Sequence, residues 1–468
     1  VIHLSSQGAL KFQIDQVNGL SNNTVLAIHE DLNNNIWLGL DNGINCINMK
    51  SPYHIYYDKT GVIGSVYTSE IYNDVLYLGT NQGLFYRLLD SEENFKFIQG
   101  TQGQVWFLGV LDDALFCGHN MGTFKIINNE AKKICNVQGT WMIKPINGFD
   151  DMLIQGNYSG LYILLKNNGE WIFKNKIKGF DVSSRYFEFL NNQEILVNHE
   201  YKGVFKLKLN NDFTEVTNFS KDEFIEKGLY SSLVNYNNEI ILYTSKKGVF
   251  KYDYGSSGFK KDSFLSQLID TLHYTSGKLV PDSKTNKLWS FSSKGINFLT
   301  TSKLSGEKKI NHFPFPYEIR NDVVGFESVT PLKNDKFLFG SSTGYSVLDL
   351  KAIVNSDYEI NINQISVSQL KDDINNKLVT LNSEGNFKNK ERNLKFSYSI
   401  SDFLKTNKPE YQYKLEGIYD EWSEWTTNGS VLFENLPYGD YTFIVNGRVG
   451  NKLSLNKASY SFSIARPW

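Results

Sequence analysis

A short pattern returns eight times along the chain, and this repetition limits the possible folds more than any other feature of the sequence. Each copy has an apolar run, a few polar residues, a Gly and a second apolar run, as in residues 37–47, WLGLDNGINCI. The turn Gly of each copy lies at Gly43, Gly83, Gly122, Gly160, Gly203, Gly248, Gly295 and Gly344. Successive copies are 38 to 49 residues apart, a period that is typical of repeat architectures.

Each copy predicts a β-hairpin with one further strand on either side. The two apolar runs have the length of strands, and the Gly between them allows a tight turn with a positive φ. Another short apolar run precedes the first copy, TVLAIHED at residues 24–31, and outer strands follow most copies, such as FKFIQG at residues 95–100. Four antiparallel strands in about 40 residues form the blade of a β-propeller. We therefore predict an all-β fold with a propeller of eight blades by repeat count.

The ends of the repeat region indicate how the propeller closes. Residues 9–16, ALKFQIDQ, have the pattern of an outer strand without inner strands before it, and the last copy, which ends YSVLDL at residues 345–350, lacks a clear outer strand. We expect these two segments to pair, because pairing closes the ring and removes its exposed edges. The propeller would then occupy residues 1–355. A seven-bladed ring, with one copy belonging to a neighbouring propeller, is the alternative.

The repeat period stops after residue 355, and residues 356–468 have a different β pattern. Tyr441, Phe443 and Val445 alternate on one side of a strand that follows a Pro-Tyr-Gly turn. This alternation is typical of the end of a β-sandwich, where a Tyr hydroxyl bonds back to the backbone. We predict a fibronectin- or Ig-like β-sandwich as the second domain.

Composition and motifs argue against several functions. The formal net charge of −2 disfavours a nucleic-acid surface, which needs clustered Lys and Arg. The three Cys residues form neither a CxxC motif nor a set with His at ligand spacing, so we expect buried thiols and neither a metal nor another cofactor. Asp31, Asn33 and Asn35 have the start of a calcium-loop spacing without its Gly and Glu. No GxSxG, HExxH or phosphate-loop motif occurs, and we predict no enzymatic activity.

The repeat geometry indicates where a ligand would bind. Turns between the second and third strands of each blade gather on one face with the links that enter the next blade. The turns supply Asn42, Asn81, Gln82, His119, Asn120, Asn157, Tyr158, His199 and Glu200, and the links supply Gln104, Trp106, Trp141, Arg185 and Tyr186. Amides and aromatic rings on one rim suit a polyhydroxylated ligand. The alternative is that the Asn residues only form turns and the Trp residues only fill the core.

Residues 19–47, GLSNNTVLAIHEDLNNNIWLGLDNGINCI, resemble the repeat of the two-component regulator propeller (Reg_prop) family. Gly19, Leu20, Ser21, Asn23, Val25, Ile28, Glu30, Asp31, Asn35, Trp37, Gly39 and Gly43 match its pattern, while Leu40 replaces the usual Thr. The C-terminal part is similar to the triple-tyrosine (Y_Y_Y) domain that follows such propellers. Tyr411, Tyr413, Leu415, Gly417, Asp420 and Trp422 fit its core, and Phe433 stands where a Tyr is common.

The resemblance implies the periplasmic, extracytoplasmic sensor region of a Bacteroidetes hybrid two-component or one-component regulator. It implies an oligosaccharide or other small polar ligand, and the position of the sandwich suggests a homodimer formed through that domain. The chain begins at Val1 without a Met and ends in SFSIARPW, so we expect a piece of a longer protein whose membrane helix and signalling output follow Trp468. A protein-binding scaffold without a small ligand is the main alternative, and a polysaccharide lyase or hydrolase propeller is a weaker one.

Overall fold

The computed structural model describes residues 1–468 with the exception of residues 9, 18, 59, 92, 224, 226, 229, 245–246, 303–304, 354–356, 370–371, 382–383, 404–407, 451 and 468. The described residues form β-strands, three short 3-10 helices and a single-turn α-helix, α1 (Tyr317–Arg320). The predicted all-β fold is therefore confirmed. None of the helices in this described part has the length and hydrophobicity needed to cross a membrane.

The chain divides into two compact units. Unit 1 comprises Val1–Leu20 and Pro52–Ile353, and unit 2 comprises Ser21–Ser51 and Val354–Trp468. The predicted boundary between residues 355 and 356 falls outside the described residues. The first repeat copy belongs to unit 2, whereas the repeat count had placed it in the propeller.

The N-terminal strands precede the main body of unit 1. β1 (Ile2–Leu4) pairs with β2 (Leu10–Gln13) in a two-stranded sheet. The first repeat copy forms a three-stranded sheet of β3 (Val25–Glu30), β4 (Ile36–Leu40) and β5 (Gly43–Ile47). The next strand along the chain is β6 (Tyr53–Tyr57).

Seven four-stranded antiparallel sheets follow in unit 1. The first three are β7 (Val66–Tyr72), β8 (Val75–Thr80), β9 (Leu84–Leu88) and β10 (Lys96–Phe97); β11 (Val105–Leu111), β12 (Ala114–His119), β13 (Gly122–Ile127) and β14 (Glu130–Cys135); and β15 (Met142–Ile146), β16 (Phe149–Asn157), β17 (Gly160–Asn167) and β18 (Glu170–Lys176). The next three are β19 (Tyr186–Phe189), β20 (Glu194–His199), β21 (Gly203–Leu209) and β22 (Val216–Lys221); β23 (Ser232–Tyr236), β24 (Glu239–Tyr243), β25 (Val249–Asp253) and β26 (Gly258–Asp262); and β27 (Val280–Asp282), β28 (Lys287–Phe291), β29 (Ile296–Thr301) and β30 (Lys308–Phe313). The seventh contains β31 (Val329–Pro331), β32 (Lys336–Ser341), β33 (Gly344–Asp349) and β6.

Hydrophobic packing between neighbouring sheets makes the seven sheets a closed ring. A separate buried cluster lies between each consecutive pair of sheets, from the first and second to the sixth and seventh. A further cluster joins the seventh sheet to the first through Leu338 and Tyr345 on one side and Val66 and Leu76 on the other. The second strands are covered on both faces, and every residue of β8 and β12 is buried. This closed arrangement is a seven-bladed propeller.

Strand β6 closes the ring, so the expected closure by the N-terminal strand is wrong. Tyr56 of β6 pairs with Tyr345 of β33, and the rings of these two residues are stacked at 4.7 Å. The segment expected in this role instead contains β2, which pairs with β1. The physical reason is chain order: the ring is closed by the outer strand that directly precedes its first inner strand, β7. The first repeat copy lies before β6 and is therefore outside the ring.

The turn glycines have a steric role in addition to the predicted one. Seven of the eight have a positive φ, the exception being Gly295. A Cβ atom on Gly295 would lie 2.3 Å from the carbonyl oxygen of Phe313 in the outer strand, and one on Gly122 would lie 2.2 Å from that of Cys135. In these two blades the outer strand thus approaches the hairpin too closely for a side chain at the turn position.

Unit 2 contains the predicted β-sandwich. One sheet has the order β35 (Asp372–Val379), β34 (Ile360–Gln369), β37 (Asn393–Ile400) and β39 (Ser430–Phe433). The other has the order β36 (Gly385–Phe387), β42 (Ala458–Ile464), β40 (Gly439–Val449) and β38 (Pro409–Glu416), with β41 (Lys452–Leu453) paired to β40. Phe396 and Phe443 stack at 4.1 Å in the core between the sheets. Tyr441 donates its hydroxyl hydrogen to the Pro437 carbonyl at 2.9 Å, which confirms the predicted bond to the backbone.

Candidate functional site

Four large side chains occupy equivalent positions on consecutive sheets of the propeller. They are Tyr67, Trp106, Trp141 and Arg185. Each lies directly before a residue of the first strand whose partner has the same position in the second strand of its blade. These pairs are Thr68 with Gly79, Phe107 with Gly118, Met142 with Gly156 and Tyr186 with Asn198. Tyr67 and Trp106 lie where the strand register shifts. Such β-bulges re-aim a side chain and are common beside binding sites.

Phe326 brings these four positions together. It lies in the link between α1 and β31, and its ring centroid is 5.1 Å from that of Tyr67 and 5.3 Å from that of Trp106. It is also 6.3 Å from the Trp141 ring and 4.1 Å from the Arg185 guanidinium. One side chain can contact four consecutive blades only where the inner strands converge. We call Tyr67, Trp106, Trp141, Tyr158, Arg185 and Phe326 the central cluster.

Hydrogen bonds fix the two indole rings of the central cluster. Trp106 donates its indole N–H to the Tyr158 hydroxyl at 3.0 Å, and Trp141 donates its own to the Ser183 hydroxyl at 3.1 Å. The Trp106 and Trp141 rings are 4.9 Å apart, and Tyr158 meets Trp141 edge to face at 5.2 Å. Burial raises the pKa of Tyr158. The polar indole atoms of both Trp residues are therefore satisfied within the protein.

Arg185 forms the charged part of the central cluster. Its guanidinium lies 5.2 Å from the Trp141 ring and 5.1 Å from the Tyr186 ring, which is the geometry of a cation–π interaction. It pairs with Glu200 at 3.5 Å, and both side chains are largely buried. Arg185 also donates a hydrogen bond to the carbonyl of Gly325. Arg185 therefore ties the fourth blade to the link that carries Phe326.

A polar group of residues adjoins the central cluster. Lys278 donates to the Tyr186 hydroxyl at 3.3 Å and lies 4.9 Å from its ring. Glu327 follows Phe326 in the chain and is only 3% exposed. Burial and the nearby Asp322 raise the pKa of Glu327 to about 7. Burial is the main cause that raises the pKa of Tyr274 to about 12, and the charges of Glu327 and Glu200 add to it. These three groups therefore lie near one another.

Six of the predicted site residues lie in or beside this region: Trp106, Trp141, Tyr158, Arg185, Tyr186 and Glu200. Of the other predicted residues, Asn81 forms a hydrogen bond through its side chain, whereas Gln82, Gln104 and Asn120 do so through their backbones. Asn81 accepts a hydrogen bond from the Ser65 backbone at 2.8 Å, Gln82 donates from its backbone to the Thr80 hydroxyl at 3.0 Å, and the Gln104 carbonyl accepts from the Asn120 backbone at 2.9 Å. Asn42 lies in unit 2, exposed in the turn between β4 and β5.

The side chains of three further predicted residues form hydrogen bonds within the protein. His119 is fully buried, with Nε2 at 3.2 Å from the Thr101 carbonyl and Nδ1 accepting from the Met121 backbone. Asn157 is also fully buried and donates to the Thr140 hydroxyl at 2.9 Å. His199 accepts backbone hydrogen bonds from Tyr201 and Lys202. All three side chains therefore have hydrogen-bond partners within the propeller.

Sequence reasoning missed Tyr67, Phe326, Glu327 and Lys278. A signal for Tyr67 was present, because GSVYT at residues 64–68 matches GQVWF at residues 103–107 in the next copy. Phe326 and Glu327 lie in a link without a counterpart in the repeat, and only the ring brings them to the inner strands. No group of three or more His, Cys, Asp or Glu residues suited to a metal ion occurs among the residues the structure describes.

Comparison with known proteins supports the fold of both units. Residues 402–465 match the family model of the Y_Y_Y domain, as predicted for this part, while the Reg_prop resemblance stays a prediction. No curated protein sequence matches the chain. The whole chain is similar to a crystal structure described as the extracellular domain of a hybrid two component system, BT3049, from B. thetaiotaomicron. The TM-score is 0.72, the sequence identity is 16%, and the match covers 98% of this chain and 64% of the other.

A second similar structure is described as the extracellular domain of a one component system, BT4673, from B. thetaiotaomicron. Its TM-score is 0.49 with 16% identity, covering 99% of this chain and 66% of the other. At that score the second likeness adds nothing to the description of the fold. The chain spans less than two thirds of the length of the BT3049 domain, and at 16% identity that likeness concerns the fold alone.

Proposed function

We propose that this chain is the ligand-sensing, extracytoplasmic region of a bacterial membrane-bound regulator and has no enzymatic role. The fold shared with the BT3049 extracellular domain and the Y_Y_Y match support this proposal. The ligand is an oligosaccharide or another small polar molecule. It binds at the central cluster of the propeller.

The convergence of four aromatic side chains and one guanidinium at the centre of the ring carries the proposal. Tyr67, Trp106, Trp141 and Phe326 are neither fully buried nor fully exposed, and Tyr158 is 40% exposed beside them. Sugar rings stack on such aromatic faces, while Arg185 and Glu200 offer a donor and an acceptor for hydroxyl groups.

Binding of oligosaccharides to the purified chain tests the proposal. An oligosaccharide array followed by calorimetry should identify at least one ligand, and the double substitution Trp106→Ala and Trp141→Ala should weaken its binding at least tenfold, about 1.4 kcal/mol. Tyr254→Ala is the matched control, because Tyr254 is 57% exposed in the turn between β25 and β26. Array and calorimetry without any binding would reject the sensor proposal, and capture of a protein by the same face would favour the scaffold.

Signalling would use a change in how two chains associate through the sandwich of unit 2. A ligand shifts such an equilibrium only by its difference in affinity for the two arrangements. Sedimentation of the chain with and without the ligand should therefore detect a change in dimer fraction or shape. An unchanged monomer under both conditions would reject this part of the proposal and leave ligand binding intact.

A further inference from the structure

Glu327 differs from the other buried carboxylates of the described chain. Four acidic residues are classed as buried: Glu188, Asp282, Asp322 and Glu327. Glu188 pairs with Lys144, Asp322 pairs with Arg320, and Asp282 accepts from its own turn. Glu327 alone among these four has a carboxylate oxygen, Oε2, that is shielded from solvent and has no hydrogen-bond partner.

The place of Glu327 connects this free acceptor with the central cluster. Glu327 directly follows Phe326, the residue that contacts the inner positions of four blades. The next residue, Ser328, also has a buried hydroxyl oxygen without a partner. A buried acceptor that lacks a donor is unfavourable. A hydrogen-bond donor on a ligand would pair with Glu327 Oε2 and remove this unfavourable free energy.

We propose that Glu327 is a ligand-contacting, specificity-determining residue of the central site, which accepts hydrogen bonds from uncharged donor groups of the ligand. This inference rests on the proposed function and names the chemistry of its ligand: hydroxyl or amide donors face Glu327, and a carboxylate does not. In this arrangement the aromatic rings contact the apolar faces of the ligand, and Glu327 accepts hydrogen bonds from donor groups along one of its polar edges.

The neighbouring charges are compatible with a proton that is exchanged near neutral pH. Asp322 faces Glu327 but is paired with Arg320 at 2.6 Å. The charge of Lys278 favours the ionised carboxylate of Glu327, while Glu200 is paired with Arg185. Tyr274 shares this environment, and burial raises its pKa to about 12, so it stays neutral. Burial raises the pKa of both Glu327 and Asp322, and for Asp322 the paired Arg320 opposes this rise.

Linkage gives the sign of the effect. The pKa of Glu327 is raised to about 7, mainly by burial, so below that pH the ligand donors must displace a proton. Affinity for an uncharged ligand then rises about tenfold from about pH 6 to about pH 8 and levels off above it. A ligand carboxylate would show the opposite trend, because it is repelled once Glu327 ionises.

Calorimetry on the full chain with defined probes tests the inference. The uncharged probes are cellotriose, maltotriose, xylotriose and mannotriose, and digalacturonate is the acidic probe. We expect at least one uncharged probe to bind with the tenfold pH dependence, Glu327→Gln to abolish that dependence, and Glu327→Asp to keep it. Glu188→Gln is the matched control for loss of a buried carboxylate elsewhere in the ring, and it should keep the dependence as well. Circular dichroism establishes that each variant is folded.

The outcomes separate this inference from the proposed function. An equal pH dependence in Glu327→Gln and in the unmodified chain overturns the inference alone. Tighter binding of digalacturonate as the pH falls overturns the assigned ligand chemistry. If none of the probes binds, the inference is rejected, while the proposed function fails only if the wider array also shows no ligand.

Discussion

At the scale of single residues, the ionisation of Glu327 should be visible without any ligand. Its folded-state pKa of about 7 lies above the ordinary value of 4.5, so the folded chain binds more protons than the unfolded chain between these values. Stability is then fully present below about pH 4.5 and is lost as the pH rises to about 7. Glu327→Gln removes this slope. The difference in unfolding free energy between variant and unmodified chain should shift by roughly 2 kcal/mol in favour of the variant between about pH 5 and about pH 8.

Urea unfolding followed by tryptophan emission measures this shift, with Glu188→Gln as the control for loss of a buried carboxylate. A difference that does not change with pH would mean that Glu327 is ionised throughout. This measurement does not depend on any ligand, so it checks the charge state on which the binding inference relies.

The residues of the site also indicate which of their properties could be predicted from the sequence. Trp106, Trp141 and Arg185 were found because repeat spacing placed them at the entry to a blade. His119 satisfied the same spacing, yet its ring lies fully buried between Thr101 and Met121. Spacing predicts which turn a residue occupies, but not whether its side chain turns outward or into the neighbouring blade. The direction of the side chain depends on packing between neighbouring blades, and the sequence pattern of a single copy carries no information about that packing.

At the scale of elements, the hairpins were predictable and the closure of the ring was not. Every copy has the same internal pattern, so the pattern cannot tell which copies join one ring. That choice depends on the pairing of β6 with β33, which are separated by almost 300 residues along the chain. The five-residue strand β6, Tyr53–Tyr57, thus determines that the ring has seven blades and not eight.

Two deletions test this closure. Removal of residues 1–50 keeps β6, whereas removal of residues 1–58 also takes away the strand that pairs with β33. The longer deletion leaves β33 as an open edge and uncovers the stacked ring of Tyr345, so it should lower the melting temperature of the propeller by roughly 5 to 10 °C relative to the shorter one and promote aggregation. Equal melting temperatures in calorimetric scans of the two deletions would show that β6 contributes little to the ring.

At the scale of the whole molecule, the propeller should bind its ligand without unit 2. Residues 52–353 contain the closing strand, all seven sheets, the whole central cluster and Glu327. We expect this fragment to fold cooperatively and to bind the array-identified ligand within about threefold of the full chain, because a preformed site needs no ordering by other parts. The same fragment with Trp106→Ala and Trp141→Ala is the control and should lose binding. A fragment that folds but does not bind would assign part of the site to unit 2, and the sandwich would then take part in recognition as well as in signalling.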